Sequence, residues 1–427
     1  MDAAPVLDKG DTAWIIVATI LVMLMTVPGL AFFYGGLVRR KNVLSIMMQC
    51  MVITAVVSIE WIVVGYSMVF GSEFMPGEDG SGGSFWGAVI GGFDKAFLHG
   101  IRLDTLFGSI PELVFVLFQC MFAVITPALI IGAFAERIKF SGFLLFTILW
   151  SLIVYNPMAH WVWGGGWMGA MGALDFAGGT VVHINAGVSA LVMALMLGRR
   201  KAYRPGGQPI TPHNVPFVVI GAALLWLGWF GFNAGSGLAA DGLAGNAFLV
   251  THLATAVAAV TWMTLEWVFN SKPSVVGICT GVVAGLVAIT PAAGTVDAMG
   301  AVVIGLASAI ICYVFVAIIK PKAGYDDSLD AFGVHGVGGF VGAILTGVFA
   351  TQFVTGDGGA QGALYGDWRQ LGVQTVVNLT AAVFSGVMTW LLFVIVDRVA
   401  GLRVDRESEA IGLDISQHGE FAYSDNE

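Results

Sequence analysis

Apolar residues arrive in this chain in runs of about 20, the length at which an α-helix rising 1.5 Å per residue crosses a roughly 30 Å hydrocarbon core. Between charged or Gly/Pro-rich breaks, such runs fall at 12–35, 43–71, 111–134, 141–158, 179–198, 213–235, 243–269, 273–290, 297–319, 332–353 and 371–397. Of the 427 residues, 57% are hydrophobic and 11% are charged, against about 25% charged in a soluble domain. Folded in water, this chain would lack a polar surface. The expected class is an all-α integral membrane protein with eleven transmembrane helices.

An odd number of spans puts the termini on opposite sides and sorts Lys and Arg into two groups of loops. Fifteen of the 19 fall in one group, which includes Arg39, Arg40, Lys41, Arg199, Arg200, Lys201 and the residues after the last span. Lys9, Lys95, Arg102 and Arg369 fall in the other. This positive-inside bias predicts the N-terminus outside and the C-terminus in the cytoplasm. The expected division is a membrane domain over 1–398 and a cytoplasmic tail over 399–427. The first residues lack the basic and apolar regions of a signal peptide. Cys50, Cys120, Cys279 and Cys312 all lie in apolar runs, where each serves as a small hydrophobe and no disulfide or metal framework is implied. The net charge of −9 sits largely in loops and tail, without a basic patch that would point to nucleic acid. The phosphate-loop, HExxH and paired-cysteine motifs are absent from the sequence, so no nucleotide, metal or other cofactor is expected.

The spans repeat. Gly29-Leu-Ala-Phe-Phe-Tyr-Gly-Gly36 in span one parallels Gly228-Trp-Phe-Gly-Phe-Asn-Ala-Gly235 in span six, and Val182-His183-Ile-Asn-Ala-Gly187 in span five parallels Val334-His335-Gly-Val-Gly-Gly339 in span ten. Helices 1–5 and 6–10 thus read as an inverted five-helix repeat, with helix 11 added, and solute paths in such transporters lie between the halves near mid-membrane. Gly277, Gly281, Gly285, Gly338 and Gly342 have the small-xxx-small spacing that lets helices approach closely.

His183 and His335 carry the functional argument, because an ionisable group within a span is expensive and usually lines a cavity or pairs with another polar group. The alternative is two separate histidines, each bonded to a backbone carbonyl. His252 has no counterpart in the other half and reads as structural. Asp175 and Asp330 precede the two histidine helices, where a carboxylate caps exposed N–H groups; Asp175 equally suits ordering the backbone of a site beside it. Glu60 lies deep in span two, facing a pathway, a subunit contact or the membrane edge. Trp161, Trp163 and Trp167 read as an interfacial aromatic belt or a cation–π site, and Phe122 and Phe232 as core. Ala234-Gly-Ser236-Gly, with histidines in other spans, leaves an intramembrane serine–histidine protease as a distant alternative.

The segments Ala173-Leu-Asp175-Phe-Ala-Gly-Gly-Thr-Val-Val-His183, Trp229-Phe-Gly-Phe232-Asn-Ala-Gly-Ser236, Gly132-Ala-Phe-Ala-Glu-Arg137 and Asp330-Ala-Phe-Gly-Val-His335 resemble the ammonium transporter (Amt) family. The resemblance covers nearly the whole chain and implies the ammonium transporter fold in a homotrimer, with one pore per subunit and no enzymatic activity. Trp163, Phe122 and Ser236 resemble that family's external ammonium site, Phe122 and Phe232 its stacked gate, His183 and His335 its twin pore histidines, and Asp175 its supporting acid. The tail stretch Gly412-Leu-Asp-Ile-Ser-Gln-His-Gly419-Glu resembles bacterial members that bind a PII signalling protein, which marks Gly412, Asp414, His418 and Gly419. The implied function is ammonium uptake across the inner (plasma) membrane by deprotonation and ammonia conduction, with proton transfer along the histidines; an ammonium sensor using the same site is the alternative.

Overall fold

The structure, a computed structural model, describes residues 6–75, 84–205 and 210–423. Among these, ten helices are long and apolar enough to cross a membrane: Lys9–Leu37, Arg40–Phe70, Glu112–Phe134, Phe140–Ala170, Gly179–Leu197, Val215–Gly235, Gly242–Asn270, Ala298–Ala323, Phe332–Phe349 and Trp368–Val399. Val275–Ile289 is a shorter apolar helix between the seventh and eighth of these. Together they correspond in order to the eleven expected spans, and are called spans one to eleven here. The short one, span eight, ends at Ile289, two residues before Pro291, whose ring nitrogen has no N–H to continue the helical ladder. Span four runs past its expected end to Trp163 and, after a break, to Ala170. Its last turns carry His160 and three tryptophans, so hydropathy falls before the helix does; Gly164 to Gly166 make the break, with Gly165 at φ 87°.

Several spans begin on a side chain that accepts a free N–H of the first turn, as capping requires. Asn214 accepts from Phe217, Asp241 from Ala244, Ser274 from Gly277, Asp297 from Gly300, and Asp367 from Arg369 and Gln370. Small residues then set the packing. A Cβ on Gly281 would lie 2.6 Å from that of Trp262, and one on Gly285 would lie 2.7 Å from that of Ala258. Spans seven and eight therefore touch backbone to backbone, the contact that replaces hydrophobic burial within lipid.

The loops rich in Lys and Arg gather at one end of the bundle. Buried Glu136 accepts from Arg39 Nε at 2.9 Å and Arg200 Nη1 at 3.2 Å, and Asp326 accepts from Arg200 Nη2 at 2.8 Å. Burial alone would raise Asp326, but the Arg200 guanidinium outweighs it and holds the carboxyl below its ordinary value. Residues 400–423 fold onto this same end through a short helix, Arg406–Ile411, and the turn Asp414–His418.

Candidate functional site

Spans five and ten start in widened, π-helical turns, Gly179–Ile184 and Phe332–Gly336, and each turn holds one histidine. Such turns occur mostly as single-turn insertions in α-helices, frequently at functional sites, and this chain has others, such as Trp61–Gly65 and Ser151–Tyr155. Eight residues before each histidine stands a buried aspartate. Asp175 accepts from the N–H of Gly178 at 3.1 Å, Thr180 at 2.9 Å and Val181 at 3.0 Å. Asp327 accepts from Ala331 at 3.1 Å and Phe332 at 2.8 Å. Burial pushes both carboxyls up to about 6, against those N–H groups and, for Asp327, against the nearby Lys320 charge.

Asp327, not Asp330, is therefore the counterpart of Asp175. Asp330 sits at φ 62° and pairs with Lys320 Nζ at 2.5 Å. The spacing shared with Asp175 can be counted in the sequence, but Asp330 lies nearer to its histidine and hides it.

Spans five and ten cross at glycines. A side chain on Gly187 would overlap the Gly336 backbone, and one on Gly339 would come within 2.9 Å of the His183 Cβ. This approach sets the two rings edge to edge, centroids 5.3 Å apart and planes 19° apart, with Nδ1 of His183 and Nδ1 of His335 at 3.3 Å. A hydrogen bond between two such nitrogens needs a proton on one and a lone pair on the other. Both rings are buried, and the two histidines form one pair instead of bonding separate carbonyls.

The pair continues a file of rings. Trp163 meets Phe122 edge-on at 5.8 Å, Phe122 stacks on Phe232 at 4.3 Å and 28°, and Phe232 lies 6.1 Å from His183. Trp229, which belongs to the repeated segment of span six but carries no expected role from sequence, stacks on His183 at 5.4 Å and 20°. Trp163 Nε1 donates to the Asp175 carbonyl at 2.8 Å, which ties the ring at the start of the file to the loop that carries the histidine turn. Beyond His335 a cavity of about 430 Å³ is lined in part by Tyr34, Arg200, Lys320, Asp330 and Val334, so the file opens toward the basic end of the bundle.

Ser236 sits one turn beyond Phe232 and its Oγ donates to the Phe232 carbonyl at 2.8 Å. Neither His183 nor His335 hydrogen-bonds to it among the described residues, and the serine–histidine dyad of the protease alternative is not formed. Glu60 faces the protein interior, accepting from Asn156 Nδ2 at 2.8 Å and Ser151 Oγ at 3.2 Å. His160 rests on the carbonyls of Val69 and Gly87, and exposed His252 packs on Trp226, so both lie apart from the file.

The tail residues singled out for a partner engage the chain itself. Asp414 Oδ1 accepts from Ser45 N at 2.8 Å in the first turn of span two, and Asn42 Oδ1 accepts from Leu413 N at 2.8 Å. Gly412, at φ 117°, lies against Lys41, and the His418 ring meets Phe140 edge-on at 5.0 Å. Gly419, at φ 71°, ends the turn.

Residues 13–423 match the model of the Ammonium Transporter Family. An ammonium transporter of Aquifex aeolicus is 50% identical, the alignment covering 98% of this chain and 94% of the relative. One from Bacillus subtilis is 47% identical over 98% of this chain and all of the relative. Among solved structures, Saccharomyces cerevisiae Mep2 superposes with a TM-score of 0.87 at 34% identity, covering 98% of this chain and 92% of that one. A structure titled Sensor Amt Protein gives 0.86 at 31% identity, covering 96% and 98%.

Proposed function

The chain belongs to the ammonium transporter family and is an ammonium transporter, a multi-pass membrane protein, and from that premise we propose how its side chains move the solute. Ammonium arrives at the Trp163 end, which the charge bias assigns to the outside, and is held there by the faces of Trp163 and Phe122 and by the Ser236 hydroxyl. Aromatic faces attract a cation most strongly where water is thin. Asp175 supports this site by ordering the backbone beneath Trp163.

The stacked Phe122 and Phe232 then close the way to anything hydrated. An intact cation in the dry path beyond them would bear a heavy desolvation cost. Ammonium escapes that cost by leaving its proton and travelling as ammonia. His183 and His335 offer the passing molecule hydrogen-bonding groups and the proton a relay, since each imidazole can donate from one ring nitrogen and accept at the other. Potassium has no proton to release and stops at the gate. The ammonia reaches the cavity beyond His335 and takes up a proton in the cytoplasm.

The observation that carries this reading is the unbroken file Trp163, Phe122, Phe232, His183, His335 ending in a cavity. Its test is current across a solid-supported membrane loaded with proteoliposomes. An ammonium jump should give a current that an equal potassium jump does not, and His183→Ala should lose it; equal currents for the two cations overturn the reading.

The rest of the assignment follows the same family logic. We place the protein in the inner (plasma) membrane as a homotrimer, with 1–398 as the transport domain and 399–427 as a regulatory tail that a PII-type protein engages at Gly412, Asp414, His418 and Gly419. Deleting 408–427 should abolish binding of a purified PII protein, and unchanged binding counts against the tail. The likeness to a structure titled Sensor Amt Protein keeps one second reading, ammonium sensing through the same site, which a lack of ammonium flux in the vesicles would favour.

A further inference from the structure

Span eleven, outside the repeat, carries a stripe of polar residues at helical spacing, Gln370, Gln374, Asn378, Ser385 and Thr389, all buried. In a bilayer such groups must find partners within the protein. Nearly all of these partners belong to span five or the loop before it. Gln370 Nε2 donates to the Gly172 carbonyl at 3.0 Å, and Gln374 holds both the N–H and the carbonyl of Leu174 at 2.8 Å while reaching Ala343 O of span ten at 3.0 Å. Thr180 Oγ1 donates to Asn378 Oδ1 at 2.6 Å, Ser385 Oγ to Asn185 Oδ1 at 2.7 Å, and Thr389 Oγ1 to Ser189 Oγ at 2.7 Å. Partner numbers rise together along both helices, so the two spans run parallel and the stripe brackets His183.

That placement acts on the weakest part of span five. The turn Gly179–Ile184 is widened, and its first N–H groups go to Asp175 and not to the helix. Its rotation about the span axis is thus set from outside, by Asp175 on its backbone and by Asn378 on the Thr180 hydroxyl. Gln374 and Ser385 grip the chain on either side of the turn, whereas Asn378 alone in the stripe bonds a side chain within it. Asn378 Nδ2 is buried and has no side-chain or backbone partner among the described residues.

We propose that Asn378, acting through the Thr180 hydroxyl, is a positioning residue for the pore: it fixes the rotation of the Gly179–Ile184 turn, hence the His183–His335 contact, hence discrimination among ammonium-like solutes. The inference rests on the twin-histidine reading above and adds to it a residue of a helix that lies outside both halves. Thr180→Val exchanges the hydroxyl for a methyl group at nearly constant volume, and Asn378→Leu removes the acceptor.

The test is the ratio of ammonium to methylammonium flux in proteoliposomes of the full chain, a quantity independent of how much protein is inserted. Thr180→Val and Asn378→Leu should each move that ratio in the same direction, by about twofold to tenfold, the range that one lost hydrogen bond commands. The double variant should move it no further than either single one, since both break the same bond, and Thr180→Ser, which keeps the hydroxyl, should leave it at the wild-type value. Thr389→Val, which breaks the stripe two turns past His183, should lower the melting temperature and leave the ratio alone. An unchanged ratio in Thr180→Val, where His183→Ala shifts it, overturns the inference and leaves the histidine reading standing. If His183→Ala also leaves the ratio unchanged, both fall. Where Asn378→Leu fails to assemble, Thr180→Val decides by itself.

Discussion

Replacing Asp175 with asparagine should flatten part of the protein's response to pH, by an amount that its surroundings fix. Burial pushes this carboxyl from 3.8 up to about 6 even though backbone N–H groups of the turn favour its charge. The folded state therefore holds a proton in the interval where the unfolded chain has already released it. Stability from this group is greatest below pH 3.8, falls as pH climbs to about 6, and is level above. At 1.36 kcal/mol per pKa unit, the full change is about 3 kcal/mol. The asparagine side chain resembles the protonated acid and does not titrate, so the variant carries no such term. Melting temperatures of detergent-solubilised wild type and Asp175→Asn, compared from pH 4 to pH 7.5, should show the wild type losing ground to the variant as pH rises. Asp327, also pushed up to about 6, is present in both proteins and cancels. A gap that stays constant with pH, or that grows in the wild type's favour, refutes the argument. Asp175→Ala differs in kind: it strands the N–H groups of Gly178, Thr180 and Val181, at about 1–3 kcal/mol each, and should abolish transport by disordering the loop beneath Trp163.

Trp163→Leu removes a cation–π face worth about 0.5–2 kcal/mol, so the KM for ammonium should rise by roughly 2-fold to 30-fold with little change in maximal flux; an unaltered KM places the binding site elsewhere. Asp414→Ala removes the carboxylate that accepts the Ser45 N–H at the start of span two, a cap typically worth about 1 kcal/mol. Limited proteolysis should then cut residues 405–423 faster than in the wild type, and equal protection would show that the tail is held by its other contacts.

How much of this is legible in the residues differs by feature. All eleven spans can be read from apolar run length, because lipid leaves a helix little alternative. The end of span four cannot, since His160 and its neighbouring tryptophans are polar or interfacial by composition and helical by position. His183 and His335 stand out as expensive groups within matching spans, yet their pairing depends on two backbones meeting at Gly187 and Gly339, a contact that joins histidines 152 positions apart. Asp327 is available by counting back eight residues from His335, but Asp330 offers an equally plausible cap. Glu60 is visible as a charge in lipid, while its partners Asn156 and Ser151 belong to another span whose rotation no local pattern discloses. The stripe on span eleven has helical spacing, but in a sequence it looks like scattered polar residues until span five lies beside it.

On the proposed mechanism, ammonium passes as ammonia while its proton moves along His183 and His335. Both histidines should be replaced together by non-titrating residues, with current and luminal pH recorded from the same proteoliposomes on an ammonium jump. The predicted result is that the ammonium current disappears and that potassium still gives none, whether or not ammonia continues to alkalinise the lumen. An undiminished ammonium current in the doubly substituted protein would contradict the mechanism.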